Sequence, residues 1–408
     1  MKRALAVSCV FVVVSFVLPA AGGADTVATG RAGQAYYKIV VPDAWNGDLV
    51  LWNHGFTLAP IGPVSDLGPL SALQLAEGYA VAASSYRMSG WAVFKTSEDL
   101  EALYQTFVER FGAPHRVLVT GASLGGLVTA AALEEADLGN VAGALSLCGA
   151  VAGSRNWDLG IDIRLGYDTI CAGVPGAAIP GGAEGLPEGS TLTTTQLALA
   201  VNACFGILTP TPSLAQQQRL ARMVALTHVP PSFILTDMGY VTFAMSDLVH
   251  DEAKLKGRIG VSNENVVYGD PGIDAAIERV TPHAGAAHRL AENYTPTGDV
   301  KNAKIVALHT DKDGLVVVEN ESAYASVVPP ANLTTAVAVE AAPSHCGFTN
   351  AEIVASWELL RGWVAGGPQP TAASIQGLCT VVAPTAGGPC RINPSFVIPS
   401  LDTRIRPR

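Results

Sequence analysis

The chain has 408 residues, of which 49% are hydrophobic and 15% are charged, and its formal net charge is −10. A chain of this length and apolar content can bury a large core, which excludes an intrinsically disordered protein. The acidic balance argues against a nucleic-acid partner and against binding to an anionic membrane surface.

Residues 1–24 are predicted to form a cleaved signal peptide. A basic start, Met1-Lys2-Arg3, precedes an apolar stretch that ends at Pro19, and small residues follow up to Ala24. The apolar stretch is short for a membrane span, so a retained N-terminal anchor is the weaker alternative. We therefore expect a secreted or periplasmic protein without stable membrane insertion.

From residue 36 onward, short runs rich in β-branched residues alternate with longer helical stretches. Strands are predicted over residues 36–41, 48–53, 79–85, 116–120, 141–147, 304–309 and 334–339. Helices are predicted over residues 70–77, 97–111, 123–135 and 351–364, the second with an N-cap at Ser97. This order predicts an α/β fold with a mostly parallel central sheet and helices on both faces.

The alternation stops between residues 149 and 300. A Gly/Pro-rich stretch at 173–189 is followed by helical runs at 193–205 and 213–225. The block contains too many large apolar residues for a disordered linker, which is the alternative. We expect a core in two parts, 25–150 and 301–366, a large inserted cap at 151–300, and a Pro/Gly-rich tail at 367–408 that wraps the surface.

A candidate nucleophile lies in the stretch Gly121-Ala122-Ser123-Leu124-Gly125-Gly126. The pattern G-x-S-x-G between a predicted strand and a predicted helix is typical of a nucleophile elbow, a strained turn that exposes its serine. The alternative is a glycine-rich turn that contains a serine by chance. The flanking strand and helix favour a chemical role for Ser123.

A serine nucleophile needs a base and an orienting acid, which follow it in the order Asp then His in this arrangement. Asp313 follows the strand at 304–309 in an Asp-Lys-Asp-Gly turn; Asp311 is its competitor, and both acids could be simple turn formers. His345 lies in a loop between the last predicted strand and the last helix. The other seven histidines are interpreted as structural or solvated.

The oxyanion of such a reaction needs backbone N–H donors. The candidates are the amide of Leu124, after the serine, and that of Phe56, after the first core strand; a simple strand-end turn is the alternative for Phe56. Tyr86, Arg87 and Trp91 follow a strand at the edge where ligands bind in open α/β sheets, and are candidate residues of a substrate pocket. Packing of Trp91 at the surface is an equal alternative.

Six cysteines remain after signal cleavage, and an even number in an exported protein favours disulfides. Six cysteines allow 15 pairings. Proximity favours Cys379 with Cys390 and then Cys171 with Cys204, which leaves Cys148 with Cys346. A free buried thiol at Cys148 is an equal alternative. No CxxC pair or histidine cluster accompanies a cysteine, so neither a metal nor another cofactor is expected.

Residues 30–150 and 300–365 resemble the α/β-hydrolase family. The resemblance rests on four motifs in the family's order: Asn53-His54-Gly55-Phe56, the stretch Gly121 to Gly126, Asp313-Gly314-Leu315-Val316, and His345-Cys346. It implies that Ser123 is the nucleophile, His345 the general base and acid, and Asp313 the orienting acid.

The dipeptide His345-Cys346 is also similar to that of tannases and feruloyl esterases, in which its cysteine is bonded to a cysteine beside the serine. Here Ala122 precedes Ser123, so that bond cannot form. A Cys148–Cys346 bond would tie the same loop from the neighbouring strand instead.

Three functions are compatible with these residues. The leading hypothesis is a serine hydrolase that cleaves carboxylic esters through an acyl-enzyme on Ser123, with aromatic and polymeric esters both open. The second is a secreted serine peptidase of the prolyl-oligopeptidase-like type, whose acidic site would come from the insertion at Asp237, Asp247, Asp251 or Glu252. The third is a non-catalytic binding protein on a hydrolase scaffold. The sequence does not indicate an oligomeric state.

Overall fold

The computed structural model describes residues 24–408, so the predicted signal peptide lies outside the described residues except for its last position. Eight strands form one sheet: β1 (Thr26–Ala32), β2 (Ala35–Val41), β3 (Asp48–Asn53), β4 (Ala80–Ser84), β5 (Arg116–Ala122), β6 (Val141–Leu147), β7 (Lys304–Thr310) and β8 (Leu333–Ala338). Their order is β1-β2-β4-β3-β5-β6-β7-β8. Only the pairings that involve β2 are antiparallel, and all others are parallel. The prediction of a mostly parallel sheet is confirmed.

Thirteen α-helices are present in the described part of the chain. Three precede the insertion: α1 (Ser71–Ala76), α2 (Thr96–Phe111) and α3 (Leu124–Glu134). Seven lie within it: α4 (Asn156–Ile170), α5 (Thr194–Phe205), α6 (Leu214–Thr227), α7 (Ile234–Gly239), α8 (Met245–His250), α9 (Pro271–Ala276) and α10 (Ala284–Glu292). Three follow it: α11 (Asn320–Val327), α12 (Asn350–Val364) and α13 (Ala372–Ala386).

The central strands are buried on both faces, as their continuous apolar runs predict. Every residue of β3 and β4 is buried. Because side chains alternate along a strand, Leu49 and Leu51 of β3 pack in the core that contains α2 and α3. Val50 and Trp52 pack in the core that contains α12 and α13. Helices therefore cover both faces of the sheet.

The segment between β6 and β7 consists of seven α-helices joined by loops, with an isolated bridge between Gly182 and Gly185. Its helices α5 and α6 begin with capping boxes at Thr193 and Ser213, which satisfy the first backbone N–H groups. Helices α7 and α8 are joined by a π-helical segment, Tyr240–Ala244. The division of the chain into core and cap stays a prediction.

Two expectations about helices are wrong. The tail was expected to wrap the surface without helical structure, but it forms the 15-residue helix α13. This helix is capped by Thr371 and buries Ile375 and Cys379. Ser97 does not cap α2, which begins one residue earlier. The Ser97 hydroxyl donates instead to Glu135, the residue that follows α3.

Strand β1 was not predicted from the sequence. It is a sheet-edge strand in which only two of seven residues, Ala28 and Ala32, are buried. Such a strand lacks the apolar run that identified the others.

The structure contains three disulfides: Cys148–Cys346, Cys171–Cys204 and Cys379–Cys390. Their Cα–Cα distances of 5.3, 5.6 and 5.6 Å are those of ordinary disulfides. The pairs agree with the favoured pairing, and the alternative of a free thiol at Cys148 is wrong. No helix within residues 24–408 has the length and apolar character that crossing a membrane requires.

Candidate active site

Ser123 occupies a sharp turn between β5 and α3. Its backbone has φ 59° and ψ −126°, a conformation that is costly for a residue with a side chain. Its N–H donates to the carbonyl of Leu147 on the neighbouring strand at 2.9 Å, which holds the turn. A Cβ atom at Gly121 would overlap the backbone of Gly125, and one at Gly125 would overlap the carbonyl oxygen of Asn53. The turn can therefore form only with glycine at both positions.

The structure brings His345 and Asp313 to this serine. His345 Nε2 lies 2.8 Å from Ser123 Oγ, and His345 Nδ1 lies 2.8 Å from Asp313 Oδ2 and 3.0 Å from Oδ1. These are hydrogen-bond distances. Because the carboxylate accepts from Nδ1–H, Nε2 is the free acceptor for the serine hydroxyl. The arrangement can transfer the serine proton to the imidazole.

Asp313, not Asp311, is the acid that contacts the histidine. Asp313 is buried, and its Oδ1 accepts the backbone N–H groups of Leu315 at 3.0 Å and Val316 at 2.9 Å. Asp311 instead accepts the backbone N–H of Glu340 at 2.7 Å, at the end of β8. The turn after β7 therefore fixes one carboxylate towards the site and uses the other to join the two strands.

The loop that carries His345 is attached to the sheet by the Cys148–Cys346 disulfide. Cys148 follows β6 directly, is fully buried, and donates its N–H to the carbonyl of Leu308 at 2.8 Å. The Cys346 N–H donates to Asp313 Oδ2 at 3.2 Å. The disulfide therefore fixes the residue next to the histidine against both β6 and the acid turn.

The same residues are the one candidate metal cluster within the described chain. Cys148, Asp313, His345 and Cys346 bring one ligand atom each within 4.8 Å of one another. The two sulfur atoms are bonded to each other in the disulfide, which leaves one imidazole and one carboxylate as ligands. Such a pair does not make the three- or four-ligand set of a typical zinc site.

A buried ion pair lies behind Asp313. His309 is fully buried; its Nδ1 donates to Glu321 Oε1 at 3.0 Å and its Nε2 to the carbonyl of Val316 at 2.8 Å. The Val316 carbonyl can only accept, so Nε2 carries a proton, and a second proton on Nδ1 makes the ring an imidazolium. Burial lowers the pKa of His309, but the hydrogen bond and charge of Glu321, with the charge of Asp313, outweigh it and raise the pKa. His309 Nε2 lies 3.9 Å from Asp313 Oδ2, so this imidazolium faces the buried carboxylate.

The backbones of Leu124 and Phe56 both lie beside the serine. Leu124 is the first residue of α3, so its N–H has no intrahelical acceptor and sits at the positive end of the helix. The loop before Phe56 passes against the serine, because a Cβ at Gly55 would lie 3.3 Å from Ser123 Cβ. Tyr86 holds this loop: its hydroxyl donates to the carbonyl of His54 at 3.2 Å. The oxyanion role of the two amides stays a prediction.

A cavity opens beside Ser123, with a volume of about 720 Å³ including its open mouth. The walls are mainly apolar: Phe56, Trp91, Leu124, Ala150, Trp157, Leu159, Ile163, Tyr240, Val241, Leu315 and Val316, with Asn156 and Asp237 among the polar residues. The cavity can accommodate a small apolar group next to the serine.

Of the three candidate pocket residues, Trp91 lines this cavity and the other two do not. Trp91 is buried, and its ring packs edge-on against Trp157 at 5.4 Å. The side chain of Arg87 is bonded to Glu98 at 2.8 Å and to Asp99 at 2.6 Å. Arg87 and Tyr86 therefore hold the surrounding loops rather than contact the cavity.

Sequence reasoning missed the part of the cavity wall that the insertion supplies, except for Asp237. Trp157 lies on α4, Asp237 on α7, and Tyr240 begins the π-helical segment. Of the four acids considered for a peptidase site, Asp247 and Asp251 are paired with Lys254, and Glu252 is exposed. Only Asp237 reaches the cavity. Its one signal in the sequence is a lone acid in an apolar run, Phe233 to Met238.

No family model matches the chain, and no curated protein matches it. Similar solved structures include an esterase of Pyrococcus furiosus, at 13% identity and a TM-score of 0.39, covering 84% of this chain and 90% of the esterase. Candida antarctica lipase A is 12% identical with a TM-score of 0.43, covering 93% and 83% of the two chains. Feruloyl esterase B from Aspergillus oryzae is 13% identical with a TM-score of 0.41, covering 83% and 80%. Similarity at this level does not identify a substrate.

The fold follows from the chain's own topology. Three features occur together in this chain: a parallel sheet with one antiparallel strand near its edge, a turn at Ser123 between β5 and α3, and the chain order Ser123, Asp313, His345. The chain has the α/β-hydrolase fold. In the α/β-hydrolase fold the elbow serine lies at the top of the sheet, where this structure places its apolar cavity. The fold alone does not define the reaction.

Proposed function

We propose that the protein is an exported serine hydrolase that cleaves carboxylic esters through an acyl-enzyme on Ser123. The observation that carries the proposal is the continuous hydrogen-bond chain from Asp313 through His345 to the Ser123 hydroxyl, beside an apolar cavity. Three disulfides support an oxidising compartment outside the cytoplasm, and a signal peptide at residues 1–24 would deliver the chain there.

The proposed reaction begins with attack of Ser123 Oγ on the ester carbonyl while His345 Nε2 takes the serine proton. The N–H groups of Leu124 and Phe56 stabilise the oxyanion, and each such donor contributes about 3 kcal/mol to lowering the barrier. His345 then gives its proton to the departing alcohol, and water, activated by the same imidazole, releases the acid. Asp313 keeps Nδ1 protonated and stabilises the imidazolium that forms.

A secreted serine peptidase is the second candidate, and Asp237 is the observation that favours it. A peptidase that grips a substrate amino terminus needs an anionic group in its pocket. Asp237 lines the cavity, but burial raises its pKa well above the ordinary carboxyl range, against the opposing effect of Arg404. Because burial disfavours the charged form of this carboxyl group, Asp237 is a poor anionic site for an ammonium group, which favours an ester substrate over a peptide.

The test compares a p-nitrophenyl acyl ester with an aminoacyl anilide on wild type, Ser123→Ala and the control Ser326→Ala. Ser326 is an exposed serine on α11, so its variant keeps the site intact. We expect the wild type and Ser326→Ala to hydrolyse the ester in preference to the anilide. Ser123→Ala should lose at least about 10³-fold in kcat. Full ester hydrolysis by Ser123→Ala would contradict the mechanism, and preference for the anilide would favour the peptidase.

A further inference from the structure

Asp237 is a buried acid in the wall of the cavity beside Ser123, and one of its two carboxyl oxygens has no hydrogen-bond partner among the described residues. Its exposed fraction is 4%, and within residues 24–408 no group forms a hydrogen bond with its Oδ2. Leaving a buried polar atom without a partner is unfavourable, and native structures rarely do so without a functional reason. The same residue lines the cavity, so its carboxyl group is part of the wall that a bound molecule would contact.

The helix that carries Asp237 is packed directly on the candidate active site. Phe233, which precedes α7, fills the space where a side chain at Gly314 would lie, next to Asp313. Tyr240, at the start of the π-helical segment, packs against the ring of Phe56 at 5.0 Å. Short π-helical segments inside α-helices are frequent at functional sites. Asp237 therefore has a fixed position relative to the serine.

The groups around Asp237 decide which ligand chemistry fits it. Burial raises the pKa of Asp237 well above its usual range; Arg404 opposes this and Asp313 adds to it. Burial lowers the pKa of Arg404, against the opposing effects of Glu319 and Asp237. A hydroxyl group can form a hydrogen bond with a carboxyl group in either protonation state, so it satisfies Asp237 without any change of charge. An ammonium group would require the ionised form of the acid, which burial disfavours.

We propose that Asp237 is a specificity residue that binds a hydroxyl group on the substrate's acyl chain, so that the preferred substrates are esters of hydroxy acids. The acyl chain is the part that becomes bonded to Ser123, and Ser123 and Asp237 line the same cavity. Apolar and aromatic walls bind the body of the chain, and Asp237 binds its polar end. This inference rests on the proposed esterase function.

The kinetic test uses three matched series of p-nitrophenyl esters, from butanoate to octanoate, that end in a methyl, a hydroxyl or an ammonium group. At the chain length that reaches Asp237, the wild type should favour the hydroxyl ester over the methyl ester by about tenfold or more in kcat/KM. Asp237→Leu should lose that preference, and Asp237→Asn, which still forms hydrogen bonds, should retain most of it. The control Asp299→Leu removes an exposed acid and should behave as the wild type.

Two kinetic results would overturn the inference and leave the esterase function standing. One is ester hydrolysis that requires Ser123 but shows the same hydroxyl-to-methyl ratio in the wild type and Asp237→Leu. The other is a preference for the ammonium ester that Asp237→Asn abolishes, because that result would mean an ionised acid and a cationic substrate.

A binding measurement tests the same contact without turnover. Methyl esters of the hydroxyl and methyl series are titrated against Ser123→Ala, with the fluorescence of Trp91 and Trp157 at the cavity as the signal. We expect the ratio of the two Kd values to favour the hydroxyl ester and to fall by about tenfold in Ser123→Ala/Asp237→Leu. An unchanged ratio would overturn the inference, whether or not the wild type proves to be an esterase.

Discussion

The Cys148–Cys346 disulfide is expected to stabilise the fold and to hold His345 in position, and these two effects can be separated. The bond joins residues 198 positions apart, for which the chain-entropy model gives about 5 kcal/mol of stabilisation. The Cys379–Cys390 bond joins residues 11 positions apart, which gives about 3 kcal/mol. The second bond joins α13 to the segment that follows it, and neither of its cysteines adjoins a residue of the Ser123–His345–Asp313 chain.

The Cys148–Cys346 disulfide also affects the catalytic rate, because Cys346 follows His345 directly and its N–H donates a hydrogen bond to Asp313. A displacement of about 1 Å in a reacting group can cost about 10²-fold in rate. We expect Cys148→Ala/Cys346→Ala to lose about 5 kcal/mol of unfolding free energy and tenfold to about a hundredfold in kcat. The control Cys379→Ala/Cys390→Ala should lose about 3 kcal/mol and keep its kcat.

Urea unfolding gives the free energies, and hydrolysis of a p-nitrophenyl ester, measured well below both unfolding transitions, gives kcat. The double variants contain alanine because Cys148 and Cys379 are fully buried, and a hydroxyl group there would have no partner. Equal relative losses of kcat in the two variants, or full kcat without the first bond, would refute a positioning role for the disulfide.

Three further predictions concern the elbow, the buried ion pair and a titrating acid. Gly125→Ala should abolish activity, because the new Cβ overlaps the backbone at the end of β3. Its control is Gly362→Ala, at an exposed position of α12 with open space around it, which should stabilise the folded protein by up to about 1 kcal/mol. Ester kinetics and calorimetry measure the two effects. His309→Gln should destabilise the protein by about 3–5 kcal/mol, because the buried Glu321 loses its partner. In urea unfolding, the double variant His309→Gln/Glu321→Gln should recover most of the lost stability. A double variant no more stable than the single one would contradict the ion pair between His309 and Glu321. Burial, with a hydrogen bond to Glu358, raises the pKa of Glu77 to about 7. The stability that protonated Glu77 contributes is therefore fully present below the ordinary carboxyl pKa and is lost as the pH rises through about 7. The Tm of Glu77→Gln should therefore rise relative to wild type across that range, and a constant difference would contradict the buried-acid interpretation.

The parts of the fold that could be predicted are those that local sequence determines. Strands β3 and β4 are buried on both faces, so their apolar residues form unbroken runs. The turn at Ser123 can form only with glycines at fixed spacing, so its motif is visible in the sequence. Chain order, together with the turn after one strand and the loop before the last helix, then indicated Asp313 and His345, which the structure brings to Ser123.

The parts that could not be predicted depend on contacts between distant segments. Trp157, Asp237 and Tyr240 reach the cavity because the helices of the insertion pack across the sheet edge, and no local pattern encodes that packing. The π-helical segment has no composition that distinguishes it from an ordinary helix. Helix α13 contains Gly377 and Pro384, which read as loop signals although its capped and buried face makes it helical.

The central claim is that Ser123 is an activated nucleophile, and covalent labelling with a fluorophosphonate probe tests it most directly. We predict that the intact mass of the folded wild type increases by one probe and that the modified peptide contains Ser123. Ser123→Ala should not be labelled, and His345→Ala should be labelled about 10³-fold more slowly or worse. A folded wild type that stays unlabelled, or that carries the probe on another residue, would contradict the account.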